Sequence, residues 1–179
     1  EEPAEKDYEA GQTINDTNKF LAQRAIRQDV TRLQTIKGLM FEAGTLITVD
    51  HNFRAAWRSG NDFYGATTDA ESYRAVSTIS AATSDQLRGA GGEYPPEIRE
   101  RYLQLPEELP LRVRALARDL TATAPTPYDR ALAIEKYLRP YLYTLDLYAP
   151  PSNRDVVDYF LFDLQRGYCD YYATSMVVL

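Results

Sequence analysis

The stretch Gly167-Tyr168-Cys169-Asp170-Tyr171-Tyr172-Ala173 holds the only cysteine of a 179-residue chain, directly after Gly-Tyr and ahead of an apolar run with helical spacing. A thiol in the first turn of a helix faces unpaired backbone N–H groups and the positive end of the helix dipole. Both favour the thiolate, which is the nucleophilic form. A glycine just upstream lets the backbone turn sharply and leaves room for a substrate carbonyl. The chemistry these residue types suit is cysteine acyl transfer: attack on a carbonyl, a tetrahedral intermediate, a thioester, then transfer to an amine or to water. The plainer reading of the same residues is a small hydrophobe buried in an apolar helix, and the carboxylate of Asp170 beside the thiol works against the thiolate.

Few other residues compete for a chemical role. His51 is the single histidine and lies more than a hundred residues upstream, so it makes no metal-binding pattern with Cys169 and reads as a strand-end or surface residue. Arg166 could orient a carboxylate near the thiol but reads more simply as a solvated or ion-paired arginine. The acid pairs Glu107-Glu108 and Asp155/Asp158 read as helix-start charges. Fourteen tyrosines, dense in Tyr168 to Tyr172 and in Tyr137 to Tyr143, could line an aromatic groove for a peptide or sugar, or simply rim a small core. No metal and no cofactor is expected.

Composition narrows the class. The formal net charge of −6 and the lack of a Lys/Arg block leave no phosphate-binding surface, so no nucleic-acid partner is expected. At 44% apolar residues the chain can build a core, and no window approaches the roughly 18 to 20 apolar residues that cross a bilayer. The opening EEPAEKDYEAGQ is acidic and polar, unlike a signal peptide.

The elements that must position Cys169 follow from periodicity and punctuation. Residues 1–18 are polar and aperiodic and are expected to form a lead-in with little structure. Residues 19–88 are expected to be β-rich: AIRQDVTRLQ is ambiguous between strand and helix, LITVD is a strand after Gly44, FRAAW and NDFYGATTD meet across Ser59-Gly60-Asn61-Asp62, and ESYRAVSTIS alternates. Gly89, Gly91, Gly92 and Pro95-Pro96 mark 89–96 as a linker.

Beyond it, 97–179 is helical. Val113, Leu116 and Leu120 share one face, with Arg112, Arg114 and Arg118 off it. TPYDRALAIEKYLRP opens on a Thr126 cap with Pro127 at the first position, buries Ala131, Ile134 and Leu138, and stops at Pro140. YLYTLD is extended, and SNRDVVDYFLF is a short helix capped by Ser152 or Asn153. The last helix carries Ala173, Met176 and Val177 as its stripe. It has no closing Gly, Asn or basic residue, so the polypeptide is expected to continue past Leu179.

The blocks TPYDRALAIEKYLRPYLYTL and DVVDYFLFDLQRGYCDYYATSMVVL, in this order and spacing, resemble the transglutaminase-like superfamily. The likeness is to the bacterial membrane-anchored members, in which this core sits outside the cytoplasm between transmembrane segments. GLMFEAGTLITVD and the strands after it resemble the β-rich region ahead of that core. The resemblance implies an α+β fold, a β-rich N-terminal region followed by the helical first half of a papain-like core. It implies that Cys169 is the nucleophile, that Gly167 and Tyr168 form its approach, and that Tyr172 lines the site, with Tyr172-Ala173 on the packing side of the helix.

Tyr171 stands where relatives carry a more polar residue, which would alter substrate contacts. The resemblance further implies a catalytic His and Asp on strands beyond Leu179, so that these 179 residues alone show no turnover. It implies a protein or peptide substrate in the cell envelope, an extracytoplasmic location, and tethering by membrane segments outside this chain. The other class of function open to such a fold is a non-enzymatic cell-envelope interaction or scaffold module.

Overall fold

The computed structural model describes residues 4–14, 22–33, 38–58 and 62–179. The chain divides into two compact units, Glu1–Thr83 and Ser84–Leu179.

The first unit is built of antiparallel strands. Strands β1 (Ala4–Tyr8), β4 (Phe53–Trp57) and β5 (Phe63–Thr67) form one sheet in the order β1-β4-β5. Strands β2 (Gln23–Thr31), β6 (Ser72–Ser80) and β3 (Thr45–Val49) form the other in the order β2-β6-β3. Leu46 and Val49 from β3, Tyr73 and Ala75 from β6, and Phe53, Ala55 and Ala66 from the first sheet bury into one core. The alternation seen in ESYRAVSTIS is thus the inward period of β6.

The ambiguous segment 23–31 is a strand. Its nine residues pair along the whole of β6, from Gln23 opposite Ser80 to Thr31 opposite Ser72, and that long ladder outweighs local propensity. Gly44 (φ +81°) is held to glycine twice over, by its left-handed backbone and by the Thr78 carbonyl oxygen, which a Cβ would meet at 2.2 Å.

One expectation needs revision in this unit. The polar lead-in is not structureless: Ala4–Tyr8 pairs with β4, Tyr8 is buried, and its ring stacks on Phe53 at 5.2 Å. One inward aromatic and a ladder to β4 order a strand whose other residues face solvent. The hairpin between β4 and β5 forms, with the Arg58 amide donating to the Asp62 carbonyl at 3.0 Å, while Ser59, Gly60 and Asn61 lie outside the described residues.

The second unit starts upstream of the Gly/Pro stretch 89–96, with helix α1 (Ser84–Gly89). The Arg88 guanidinium donates to Asp129 at 2.9 Å, and the Ser84 hydroxyl lies 3.1 Å from that of Tyr128, so α1 is joined to the start of a later helix. Then follow α2 (Pro96–Tyr102), α3 (Leu111–Thr121), α4 (Pro127–Leu138), β7 (Leu142–Tyr143), α5 (Val156–Tyr159), a π turn (Phe160–Leu164), β8 (Arg166–Gly167) and α6 (Cys169–Val178). Strands β7 and β8 pair in parallel, Tyr143 opposite Gly167. The architecture is α+β.

The stripes expected on α3 and α4 meet in one core: Val113 is fully buried, with Leu116 and Leu120 half-buried beside it, against Ile134 and Leu138. Thr126 caps α4, its hydroxyl oxygen accepting the Asp129 amide at 3.1 Å. The cap of α5 is Asp155, whose carboxylate accepts the Asp158 amide at 2.8 Å, and not Ser152 or Asn153. A carboxylate that reaches its own third-following amide defines the start, wherever the preceding prolines fall.

Candidate functional site

Cys169 is the first residue of α6, and its side chain is exposed. Tyr168 precedes it in an extended conformation (φ −118°, ψ −175°) and gives no side-chain cap to the helix; its carbonyl accepts the Tyr171 amide at 3.0 Å, which leaves the Cys169 and Asp170 amides as the donors at the helix start. The Cys169 Sγ lies 3.4 Å from Asp170 Oδ1, within reach of a weak S–H donation to that carboxylate. The arrangement offers an accessible sulfur beside the backbone N–H groups of Cys169 and Asp170 at a helix start, which suits attack on a carbonyl and stabilisation of the oxyanion that follows.

The approach to Cys169 is rigid. Gly167 is buried in β8, and a Cβ there would stand 3.0 Å from both Cβ and Cδ2 of Tyr171 and 3.1 Å from Cε2 of Phe160. Its backbone is not left-handed, so the glycine serves close packing of β8 on α6 rather than a sharp turn or space for a substrate. The Gly167 carbonyl accepts the Thr144 amide at 2.8 Å and so ties β8 to the chain after β7. The turn conformation lies one step earlier, at Gln165, which is left-handed (φ 49°, ψ 28°) and donates its amide to the Phe160 carbonyl at 2.9 Å.

Phe160 is the hub behind the site. It is fully buried, and its ring lies 5.5 Å from Tyr171, 5.2 Å from Tyr172 and 5.3 Å from Tyr141. The Tyr141 hydroxyl lies 2.8 Å from the Leu161 carbonyl and 2.9 Å from the Tyr137 hydroxyl, and burial pushes its pKa well above the ordinary phenol value. Around Phe160 the tyrosines rim a small core: Tyr171 is buried, Tyr137, Tyr141, Tyr168 and Tyr172 are half-buried, and Tyr143 is exposed.

The expected helix stripe is displaced by about one position. Tyr171 and Ser175 are the buried residues of α6, whereas Ala173 is exposed and Val177 is 74% exposed. Tyr171 packs against the bare α-carbon of Gly167, where a Cβ would crowd it at 3.0 Å. Tyr171 accordingly points into the core, away from any substrate, and Tyr168 packs edge-on against it at 5.1 Å.

Tyr172 is half-buried between Phe160 and Tyr143, and its hydroxyl is buried with no partner among the described residues. Burial raises its pKa. With Leu138, Ala173 and Met176 it also lines an apolar groove between α4 and α6, rimmed by Glu135 and Arg139, which pair with each other.

Sequence reasoning missed a charge cluster upstream of the cysteine. Arg112 on α3 grips Asp158 through two hydrogen bonds of 2.5 and 2.6 Å and reaches Asp163 at 3.0 Å, while Arg154 reaches Asp158 at 3.1 Å and Asp163 at 2.6 Å. The fork of Arg112, aided by Arg154, holds the Asp158 carboxyl below the ordinary carboxylate range, and Arg154, aided by Arg112, does the same at Asp163. Asp155 and Asp158 thus divide the two roles that a helix-start charge combines, one capping and one pairing. His51 belongs to the first unit, where its Nδ1 lies 2.7 Å from Asp50 Oδ1. Among the described residues no group of His, Cys, Asp and Glu is arranged to hold a metal ion, and no helix is long and apolar enough to cross a membrane.

Comparison with known proteins places this geometry. Residues 114–179 match the family model of the transglutaminase-like superfamily. Over 83 residues, 45% of this chain, the sequence is 42% identical to YebA, an uncharacterised protein of Bacillus subtilis. Over the same length it is 39% identical to a protein-glutamine gamma-glutamyltransferase of Pseudomonas aeruginosa. The matched spans are 11% and 12% of those two proteins.

The fold matches the crystal structure of the periplasmic domain of TgpA from Pseudomonas aeruginosa bound to ethylmercury, with a TM-score of 0.58 and 24% identity, over 86% of this chain and 53% of that one. The segment that matches the superfamily model, residues 114–179, runs from within α3 through Cys169 to Leu179.

Proposed function

We propose that Cys169 is the nucleophile of an extracytoplasmic transglutaminase-like enzyme that acts on glutamine carboxamides. The observation that carries this reading is the exposed thiol opening α6 inside the segment that matches the superfamily. The thiolate attacks the carboxamide carbon and forms a C–S bond. The tetrahedral intermediate collapses with cleavage of the C–N bond, and the nitrogen takes up a proton and leaves as ammonia. An amine then displaces the thiolate from the thioester and gives a substituted amide, or water does so and gives the acid.

The transferase name of the Pseudomonas relative supports the first outcome, and the periplasmic origin of the TgpA domain supports an extracytoplasmic location. The single histidine here, His51, lies 118 residues upstream of the thiol and does not match the superfamily's pattern. The general base is a histidine outside residues 1–179, as the resemblance to the superfamily implies. That histidine and its orienting carboxylate, like the membrane segments that tether the enzyme, lie in other parts of the native protein. Its substrate is a protein or peptide of the cell envelope.

The test is incorporation of a labelled primary amine into a glutamine-containing peptide by the native full-length protein. Cys169→Ala should reduce the rate by a factor on the order of a thousand or more. Incorporation persisting in Cys169→Ala would sink the proposal and favour the scaffold reading.

A further inference from the structure

We infer that the cluster of Arg112, Arg154, Asp158 and Asp163 is a positioning device for Cys169, holding the π turn that sets where the thiol stands. The inference rests on the reading of Cys169 as nucleophile. Each arginine contacts both aspartates, so all four possible pairs across the cluster are made. Exposed ion pairs are ordinarily worth little. This cluster differs in that Asp158 is buried, Arg112 grips it with a fork, and the guanidinium of Arg112 also lies over the Phe162 ring at 4.4 Å, with that of Arg154 over Tyr159 at 5.4 Å.

The placement of the two aspartates gives the cluster its role. Asp158 stands just ahead of the Phe160–Leu164 π turn and Asp163 lies within it, so the arginines pin both ends of one irregular turn. A π turn inserts a residue into the helical ladder and is uncommon without a constraint to hold it. Its exit, Gln165, is a non-glycine residue in the left-handed region, a strained conformation for a side chain with a Cβ.

That turn delivers two things to the site. It aims Phe160 at Gly167, Tyr171 and Tyr172, and it starts the Arg166-Gly167-Tyr168 run that ends on the cysteine. Phe160 and Tyr171 close on Gly167 so tightly that a Cβ there would meet them at 3.0 to 3.1 Å, and through this contact a relaxed turn shifts the start of α6. Misplacing a catalytic group by about 1 Å costs on the order of a hundredfold in rate, so a partial shift should cost about tenfold.

Asp158→Asn is the most direct variant, but it leaves two arginines facing a buried amide and can fail by unfolding. The exposed Asp163 therefore decides. In the native full-length protein, at a temperature where circular dichroism shows each variant folded, Asp163→Asn should lower kcat for amine incorporation about tenfold while leaving KM within about twofold. It should slow iodoacetamide alkylation of Cys169, followed by mass spectrometry of the Cys169 peptide, by a similar factor. Asp163→Glu should restore both.

A folded Asp163→Asn with unchanged kcat and alkylation rate, an effect confined to KM, or an Asp163→Glu no better than the asparagine variant would overturn the inference and leave the nucleophile reading standing. Turnover surviving Cys169→Ala would remove the basis of both.

Discussion

Gly167 and Tyr171 are in contact so close that one methyl group on Gly167 would meet two carbons of the tyrosine at 3.0 Å. The wall of that contact is Tyr171 and Phe160, both buried and neither free to swing aside. Gly167→Ala should therefore destabilise the second unit by about 1–3 kcal/mol through overpacking. Urea unfolding followed by far-ultraviolet circular dichroism measures it, and an unchanged midpoint would show that β8 can slide off α6 at no cost.

Thr126 closes the first turn of α4 in both directions. Its hydroxyl accepts from the Asp129 amide and donates to the Asp129 carboxylate at 2.6 Å. Thr126→Ala should cost about 1 kcal/mol, whereas Thr126→Ser, which keeps the oxygen, should cost less than half of that. Equal losses for the two substitutions would assign the effect to the methyl group instead of the cap.

The second unit should lose stability in acid through Asp158. Its carboxyl is held below the ordinary range by the hydrogen bonds from Arg112 and then by Arg154, so the folded state binds its proton less readily than the unfolded chain does. The stabilisation is fully present above the unfolded carboxylate value of about 3.9 and disappears as pH falls through the lower folded value. Asp129 and Asp163 shift the same way and add to the slope. Stability measured by urea titration should be flat between about pH 7 and 5 and fall below about 4. The deficit of Asp158→Asn, about 1–3 kcal/mol at neutral pH, should narrow over the same acid range. A deficit independent of pH would mean that packing around the side chain, not its charge, is what matters.

Residues 1–179 alone should incorporate no amine. On the proposed reading the base that deprotonates the thiol and protonates the leaving nitrogen is a histidine outside these residues, and a nucleophile without its base retains only the contribution of binding and oxyanion donors. Incorporation by the isolated chain, abolished by Cys169→Ser, would show that a group within these residues serves as base.

Much of the scaffold could be read from residue order. The alternation in β6, the stripe of α3, the Thr126-Pro127 start of α4 and the start of α6 at the cysteine are local signals, and local hydrogen bonding and burial produced the elements they announce. The ordered β1 strand, the Asp155 cap and the face on which α6 buries were not legible. Each depends on a partner distant in sequence or on which of several equivalent side chains reaches an amide. Period alone assigned α6 the stripe Ala173, Met176 and Val177, whereas packing against β8 chose Tyr171 and Ser175.

What the sequence determined by itself was the thiol's setting: a lone cysteine opening a helix behind Gly-Tyr, within blocks whose order resembles one superfamily. These are properties of adjacent residues, for which chain connectivity is constraint enough. Only the tertiary structure decided that Gly167 serves packing, that Tyr171 faces inward, and that Arg112 on α3 reaches across to Asp158 and Asp163, 46 and 51 residues later. Such contacts depend on the free energy of burying whole faces together, and no local pattern encodes which faces those will be.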